Sequence, residues 1–365
     1  MEHLVPEKAK ISPFLVFFLV HTIQLGIGVL GFQRIIALTA GYDAWISVIL
    51  AGLSIHVILY MMYKILGTVK GDFISAHSYV FGNKLGRILS LPFVLYFLCV
   101  AIILLRSFIE VVQVWMFQDM STFWYSFVFC LLAVYIVFGG FRTVTGVAFF
   151  GVVLPFYLIF TFFFAFPYSD FRNLLPIFDH SISDLIKAAY HMSLTYLGYE
   201  TLLLFYPYIK DPEKSKKWAH LGVLYTTILY TVITITTFSY FSEGQLQKNI
   251  WATLTIWKVV EMPFVERFEY IGIANWNIVI LPNICIALWC GSRILKRVTR
   301  LKQKHGVLLL SAVVLILINF LKTREQINTI LDYTGMVSFF LNYVYIPFLF
   351  VLVLIVKRVK KNESS

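Results

Sequence analysis

Long apolar blocks separated by short polar connections repeat from one end of the chain to the other. A bilayer core of about 30 Å takes roughly 20 helical residues at 1.5 Å each. Ten blocks fit, near residues 12–38, 43–66, 88–115, 122–139, 145–166, 186–208, 217–241, 271–292, 305–321 and 337–357. The block at 122–139 is short, and the ninth, between His305 and Lys322, is shorter still. The pattern predicts an all-α integral membrane fold of about ten transmembrane helices, a single transmembrane domain over 1–365. The first block runs past Val20 without a small-residue cleavage site, so it is expected to be a retained span.

Composition narrows the class. Soluble domains carry about 25% charged residues. This chain of 365 residues carries 13%, against 59% hydrophobic, with mean hydropathy +0.81. So few charges cannot build a water-facing surface unless lipid covers most of it, which excludes a soluble enzyme. A formal net charge of +11 raises nucleic-acid binding. The Lys and Arg residues lie in short loops, however, with no continuous basic stripe. They read as topogenic charge, and no nucleic-acid partner is expected.

Charge also orients the chain. With a cytoplasmic N-terminus, 21 of the 30 Lys and Arg fall on inner segments and 8 on outer ones, with Arg106 inside a span. Only the inner loop at Arg142 lacks a marked bias. Ten spans with both termini cytoplasmic is the reading. The outer connection at 243–270 mixes apolar and acidic residues, and is expected to form a short amphipathic helix on the outer surface.

Two blocks carry helix-weakening sequences. The first contains Gln24-Leu25-Gly26-Ile27-Gly28-Val29-Leu30-Gly31, and glycine leaves the helical backbone unrestrained. Unwound backbone in a bilayer is tolerable only where protein or a cavity satisfies it; close packing through Gly26 and Gly31 is the plainer alternative. The sixth contains Ser193-Leu194-Thr195-Tyr196-Leu197-Gly198-Tyr199-Glu200-Thr201. Glu200 there should face the bundle interior with a partner, either as part of a site or as a structural acid. Spans one and six correspond if the chain is two five-helix halves. Interrupted spans in matching positions point to a midplane substrate site. Freed N–H groups favour a carboxylate and freed carbonyls an ammonium group, so a zwitterionic amino acid suits both.

These residues carry a resemblance. Gly26-Ile27-Gly28-Val29-Leu30 resembles the span-one break of amino acid–polyamine–organocation transporters, and Tyr196-Leu197-Gly198-Tyr199-Glu200 is similar to their span-six motif. From about Ser12 to Lys360 the chain resembles the B subunits of spore germinant receptors, the spore-permease branch of that superfamily. Gly31-Phe32-Gln33-Arg34 and Asp43-Ala44-Trp45-Ile46-Ser47 are its most telling phrases. The resemblance implies two inverted five-helix repeats, LeuT-like, about 12–166 and 186–357, with helices 1 and 6 broken. It also implies sensing of a small germinant, commonly an amino acid, in the spore inner membrane beside an A subunit and a lipoprotein C subunit. Ile27 stands where many transporters carry Ser, Ala or Thr, a departure that bears on ligand size and polarity.

The candidate ligand-binding residues are Gln24, Gly26, Ile27, Gly28, Tyr96, Thr195, Tyr196, Gly198, Tyr199 and Glu200. Arg106 and Glu110, four apart on one helical face, are expected to pair as a gate, a coupling element or a static structural pair. His21, Asn283 and Asn342 are further polar interior positions. Cys99, Cys130, Cys285 and Cys290 lie in apolar runs without a zinc spacing, and no nucleophile elbow or phosphate loop occurs. No metal, no cofactor and no enzymatic activity are expected. The leading expectation is a germinant-receptor membrane subunit. The alternatives are an ion-coupled amino acid transporter, which would use the same pocket, and a scaffold for partner subunits.

Overall fold

The computed structural model describes residues 5–263, 265–299 and 301–363. Arg300, counted above among the inner basic residues, lies outside them, as do residues 1–4. Each of the ten apolar blocks is helical. The first block divides into α1 (Leu15–Gln24), a 3-10 turn (Ile27–Leu30) and α2 (Phe32–Ala40), followed by α3 (Ala44–Val69). Two short helices, α4 (Phe73–Phe81) and α5 (Asn83–Leu89), lead into α6 (Pro92–Trp115). Next come α7 (Thr122–Phe138) and α8 (Phe141–Val153), the latter continued as a 3-10 helix to Tyr168. The sixth block is α9 (Ile182–Thr195), then a 3-10 turn (Tyr199–Thr201) and α10 (Leu202–Phe205). After α11 (Lys216–Tyr240) come the short α12 (Glu243–Lys248) and α13 (Ala252–Trp257), and then α14 (Phe268–Val298) and α15 (Gln303–Phe320). The last block is α16 (Arg324–Phe340), a π-turn (Leu341–Tyr345) and α17 (Ile346–Glu363).

Among the described residues, seven helical stretches are long and apolar enough to cross a membrane. Of the others, the first block is divided by its break, the α7 block has 17 residues, and the sixth is interrupted at Tyr196–Gly198. An 18-residue apolar window within Phe268–Val298 is 83% buried, against 28–61% for the corresponding windows of the other six. It is the hub, packing on α6, α8, α15, α7 and α1. The other helices keep apolar faces outward, as at Leu131, Tyr135 and Phe160, which in a protein of this composition face lipid.

The connection at 243–270 departs from expectation. Only α12 lies on the surface, exposed but for Leu246; Ala252, Thr253, Leu254, Ile256 and Trp257 of α13 are all buried. The α13 helix packs on the 3-10 turn of the first block and on α14. Its circumference is apolar or hydroxyl-bearing, while the charges of the connection lie outside it, on α12 and beyond Trp257.

Candidate ligand site

The first block breaks where glycine lets it and where side chains from other helices accept the consequences. The Leu25 N–H still reaches the His21 and Thr22 carbonyls, both at 3.1 Å. The backbone then turns extended at Gly26 (φ −104°, ψ −150°). Three carbonyls around the break are capped from elsewhere. Tyr230 Oη donates to the Gln24 carbonyl at 2.7 Å, Asn283 Nδ2 to that of Leu25 at 3.2 Å, and Thr253 Oγ1 to that of Val29 at 2.8 Å. Each donor replaces a helical bond that lipid could not replace.

The second break meets the first. Gly198 sits at φ +114°, in the left-handed region, and a Cβ on it would lie 2.5 Å from Ile23 Cγ1 of α1. Gln24 Nε2 donates to the Tyr196 carbonyl at 3.1 Å. Gly28 lacks the Cβ that would come within 2.9 Å of Thr195 Cγ2. The Tyr196 side chain is held in place: its ring packs edge-on against Tyr230 and its hydroxyl donates to the Val48 carbonyl at 3.3 Å. Ile27 and Tyr199 are buried in the two 3-10 turns.

Glu200 is buried beside the break with three donors around it. Tyr96 Oη donates to Oε1 at 2.5 Å. The Gly198 N–H donates to Oε2 at 2.9 Å, and Asn342 Nδ2 to Oε2 at 3.3 Å. Ser338 Oγ lies 2.6 Å from the Tyr96 hydroxyl. One carboxyl group thus ties α6, the sixth-block break and the π-turn together. The sequence placed Tyr96 and Asn342 in the interior; Ser338 carried no signal that singled it out.

Not every polar atom here is satisfied. Gln24 Oε1, Asn283 Oδ1 and Thr22 Oγ1 are buried without a hydrogen-bond partner, clustered in sequence and packing about the first break. A buried unsatisfied acceptor costs about 1–3 kcal/mol, and an ammonium group or hydroxyl donor removes that cost. His21 is turned away: its Nδ1 lies 2.8 Å from Thr226 Oγ1.

Arg106 and Glu110 share a helix face but form no ion pair. Arg106 Nε donates to the Leu321 carbonyl at 2.7 Å, and Glu110 pairs with Arg324 at the start of α16. Helical spacing brings two residues to one face, but a distant partner with better reach took the carboxylate. The Arg324 guanidinium also stacks 5.0 Å above the Trp251 ring. At this end Gln33 Nε2 donates to Thr253 Oγ1 at 2.8 Å and Arg34 Nε to the Gln247 carbonyl at 2.6 Å. The opposite end is closed by buried Asp72, 3.2 Å from Arg297 and 4.0 Å from Arg293. Arg293 lies 5.2 Å above the Tyr208 ring, just past α10.

Comparison with known proteins decides the family. A family model described as "Spore germination protein", the spore permease model, matches residues 10–327. Spore germination protein GerQB of Bacillus cereus is 43% identical over 348 residues, covering 95% of this chain and 97% of that protein. The chain belongs to the spore permease family of spore germination proteins. Within it, spore germination protein A2 of Bacillus subtilis (strain 168) is 24% identical, with 96% of each chain covered. Solved structures share the fold at low identity. A Na+-coupled sialic acid symporter superposes with TM-score 0.67 at 14% identity, covering 92% of this chain and 80% of its own. MhsT in complex with L-phenylalanine gives 0.62 at 13%, covering 93% and 87%. The fold of this germination protein is therefore the LeuT-like transporter fold, with the first and sixth helices interrupted.

Proposed function

We propose that this chain is the membrane subunit of a spore germinant receptor that binds a small amino-acid-like germinant between the two helix breaks. The observation that carries the reading is the direct meeting of the breaks: Gln24 bonded to the Tyr196 carbonyl, and Gly28 against Thr195. Gln24, Gly26, Ile27, Gly28, Thr195, Tyr196, Gly198 and Tyr199 frame the ligand. The unmatched acceptors Gln24 Oε1 and Asn283 Oδ1 receive its ammonium group. Tyr96 and Glu200 hold the sixth-block break to α6 and α16, so a ligand that displaces the break moves them as one unit. The chain crosses the membrane ten times as two inverted repeats, about 12–166 and 186–357, with both termini cytoplasmic. It resides in the spore inner membrane, where A and C receptor subunits read the change. A ligand shifts such an equilibrium only by its differential affinity for the two arrangements. Arg106, Glu110 and Arg324 act as the outer gate.

A second reading, an ion-coupled amino acid transporter, is favoured by the fold shared with a Na+-coupled symporter and uses the same residues. Equilibrium binding and time-dependent uptake of labelled amino acids in proteoliposomes separate the two. Saturable binding without accumulation supports the sensor; accumulation driven by an ion gradient refutes it in favour of transport.

A further inference from the structure

A second site lies at the end of the bundle that carries both termini, away from the breaks. The N-terminal segment is fastened there: the Ile11 N–H donates to the Tyr208 carbonyl at 2.7 Å and the Lys210 N–H to the Ile11 carbonyl at 2.9 Å. Beside this seam opens a cleft lined by Phe14, Trp218, Lys214, Lys216 and Lys217, together with His220 and the one carboxylate of Glu213. Phe14 and Trp218 pack edge to face, 6.4 Å between centroids, and form an aromatic wall.

Its charges are unevenly met. Lys214 pairs with Asp211, and Glu213 accepts from Tyr206 Oη at 3.0 Å. Lys216 and Lys217 have no ion-pair partner among the described residues. They rest on rings instead: Lys216 Nζ is 4.8 Å from the Tyr60 centroid and Lys217 Nζ 5.2 Å from that of Trp218. Lys64 Nζ approaches the same Tyr60 ring at 5.5 Å. Ring contacts orient an ammonium group without neutralising it.

What continues from the cleft selects its occupant. Along α11, exposed Leu221, Leu224, Ile228 and Val232 form an apolar ridge running from the lysines into the body of the bundle. Their spacing of three and four keeps them on one side of the helix. A cationic cleft capping a lipid-facing ridge fits a molecule with an anionic head and apolar tails.

We propose that the cleft binds the phosphate headgroup of an anionic glycerophospholipid, held by Lys216 and Lys217 against the Phe14–Trp218 wall, with an acyl chain along Leu221–Val232. A basic surface pocket between helices suits such a headgroup. The site sits on the seam between the N-terminal segment and the connection after α10, so an occupied cleft stabilises the closed terminal end of the bundle.

The test is thermal unfolding of the purified full chain in micelles doped with phosphatidylglycerol or with phosphatidylcholine of the same acyl chains, alongside glycerol phosphate and inorganic phosphate in solution. Phosphatidylglycerol is expected to raise the midpoint above phosphatidylcholine, and the soluble phosphates to leave it unchanged. The double variant Lys216→Gln/Lys217→Gln should lose most of that difference, while Lys302→Gln/Lys304→Gln, on another loop, keeps it. Phosphatidylglycerol retained through delipidation, measured per protein, gives a second readout independent of stability. Equal midpoints in the two lipids, or a full preference in Lys216→Gln/Lys217→Gln, overturns the proposal. A shift reproduced by inorganic phosphate shows a free-phosphate site and overturns the lipid assignment.

Discussion

Alanine at position 28 adds one methyl group at the point where the two breaks touch. Its Cβ would stand 2.9 Å from Thr195 Cγ2, with Thr195 Cβ and Oγ1 at 3.5 Å. Carbon atoms rest at about 3.5–4.0 Å, so the overlap is confined to one methyl group. Position 28 does not carry a positive φ, so alanine strains no torsion there. Overpacking by a methyl costs about 1–3 kcal/mol. At about 1.4 kcal/mol per decade, that is a roughly 5- to 150-fold shift in any equilibrium that needs the breaks together. The structure also supplies the remedy. Thr195→Ser deletes Cγ2 and leaves contacts of ordinary length, so the double variant Gly28→Ala/Thr195→Ser should recover most of the loss. The assay is the amino-acid dose response of germination in spores carrying each variant at matched membrane levels, paired with unfolding midpoints of the purified proteins. A wild-type response from Gly28→Ala refutes the contact. A loss that Thr195→Ser does not relieve refutes the reasoning that places the two breaks against each other.

Glu200 separates two substitutions. In Glu200→Gln the amide can turn its NH2 toward Tyr96, whose proton then goes to Ser338 Oγ, 2.6 Å away. The protein should fold with a loss of about 1–2 kcal/mol and a weakened ligand response. Glu200→Ala strands the Gly198 N–H, leaves Asn342 Nδ2 only its bond to the Ser338 carbonyl, and should lower the unfolding midpoint further. Equal midpoints for the two would show that the hydrogen bonds carry no weight. Asp72→Asn leaves Arg293 and Arg297 facing each other with no carboxylate and should cost about 3–5 kcal/mol, read as a lower midpoint; an unchanged midpoint contradicts the closed terminal end. Gly31→Ala drives a Cβ to 2.2 Å from the Ile250 carbonyl oxygen, a backbone atom that cannot swing away, and should displace the α12–α13 connection. Gly146→Ala, in open space on α8, should be neutral or stabilising by roughly 0.5–1 kcal/mol; a comparable loss at both glycines would refute the packing argument.

Much of this was legible because bilayer physics narrows the choices. Helix is the solution that satisfies every backbone group within one apolar run, so ten runs announced ten helical segments, and clustered glycines announced where one of them stops. The phrases that carried the family resemblance have structural jobs. Gln33 and Arg34 clamp the connection after α11. Asp43 accepts from the Phe178 and His180 N–H groups at 2.9 and 3.0 Å, and Ser47 Oγ donates to the Leu185 carbonyl at 2.8 Å. What stayed hidden depended on long-range partners. Nothing local told that Glu110 would find Arg324 rather than Arg106, or that Thr253 would reach back to the Val29 carbonyl and pull α13 inward. Tyr345, 2.6 Å from His77 Nε2, ties the π-turn to α4 across 268 positions, beyond the reach of any spacing rule.

The central claim is that a small amino-acid-like ligand binds between the breaks. Its most direct test is equilibrium binding of a labelled set of common amino acids to the purified wild-type chain, to Gly28→Leu and to Gly146→Leu, each confirmed as folded by its unfolding midpoint. The account predicts saturable binding of at least one amino acid to wild type and to Gly146→Leu, and its loss in Gly28→Leu. Binding that survives undiminished in folded Gly28→Leu would place the ligand elsewhere and contradict the account.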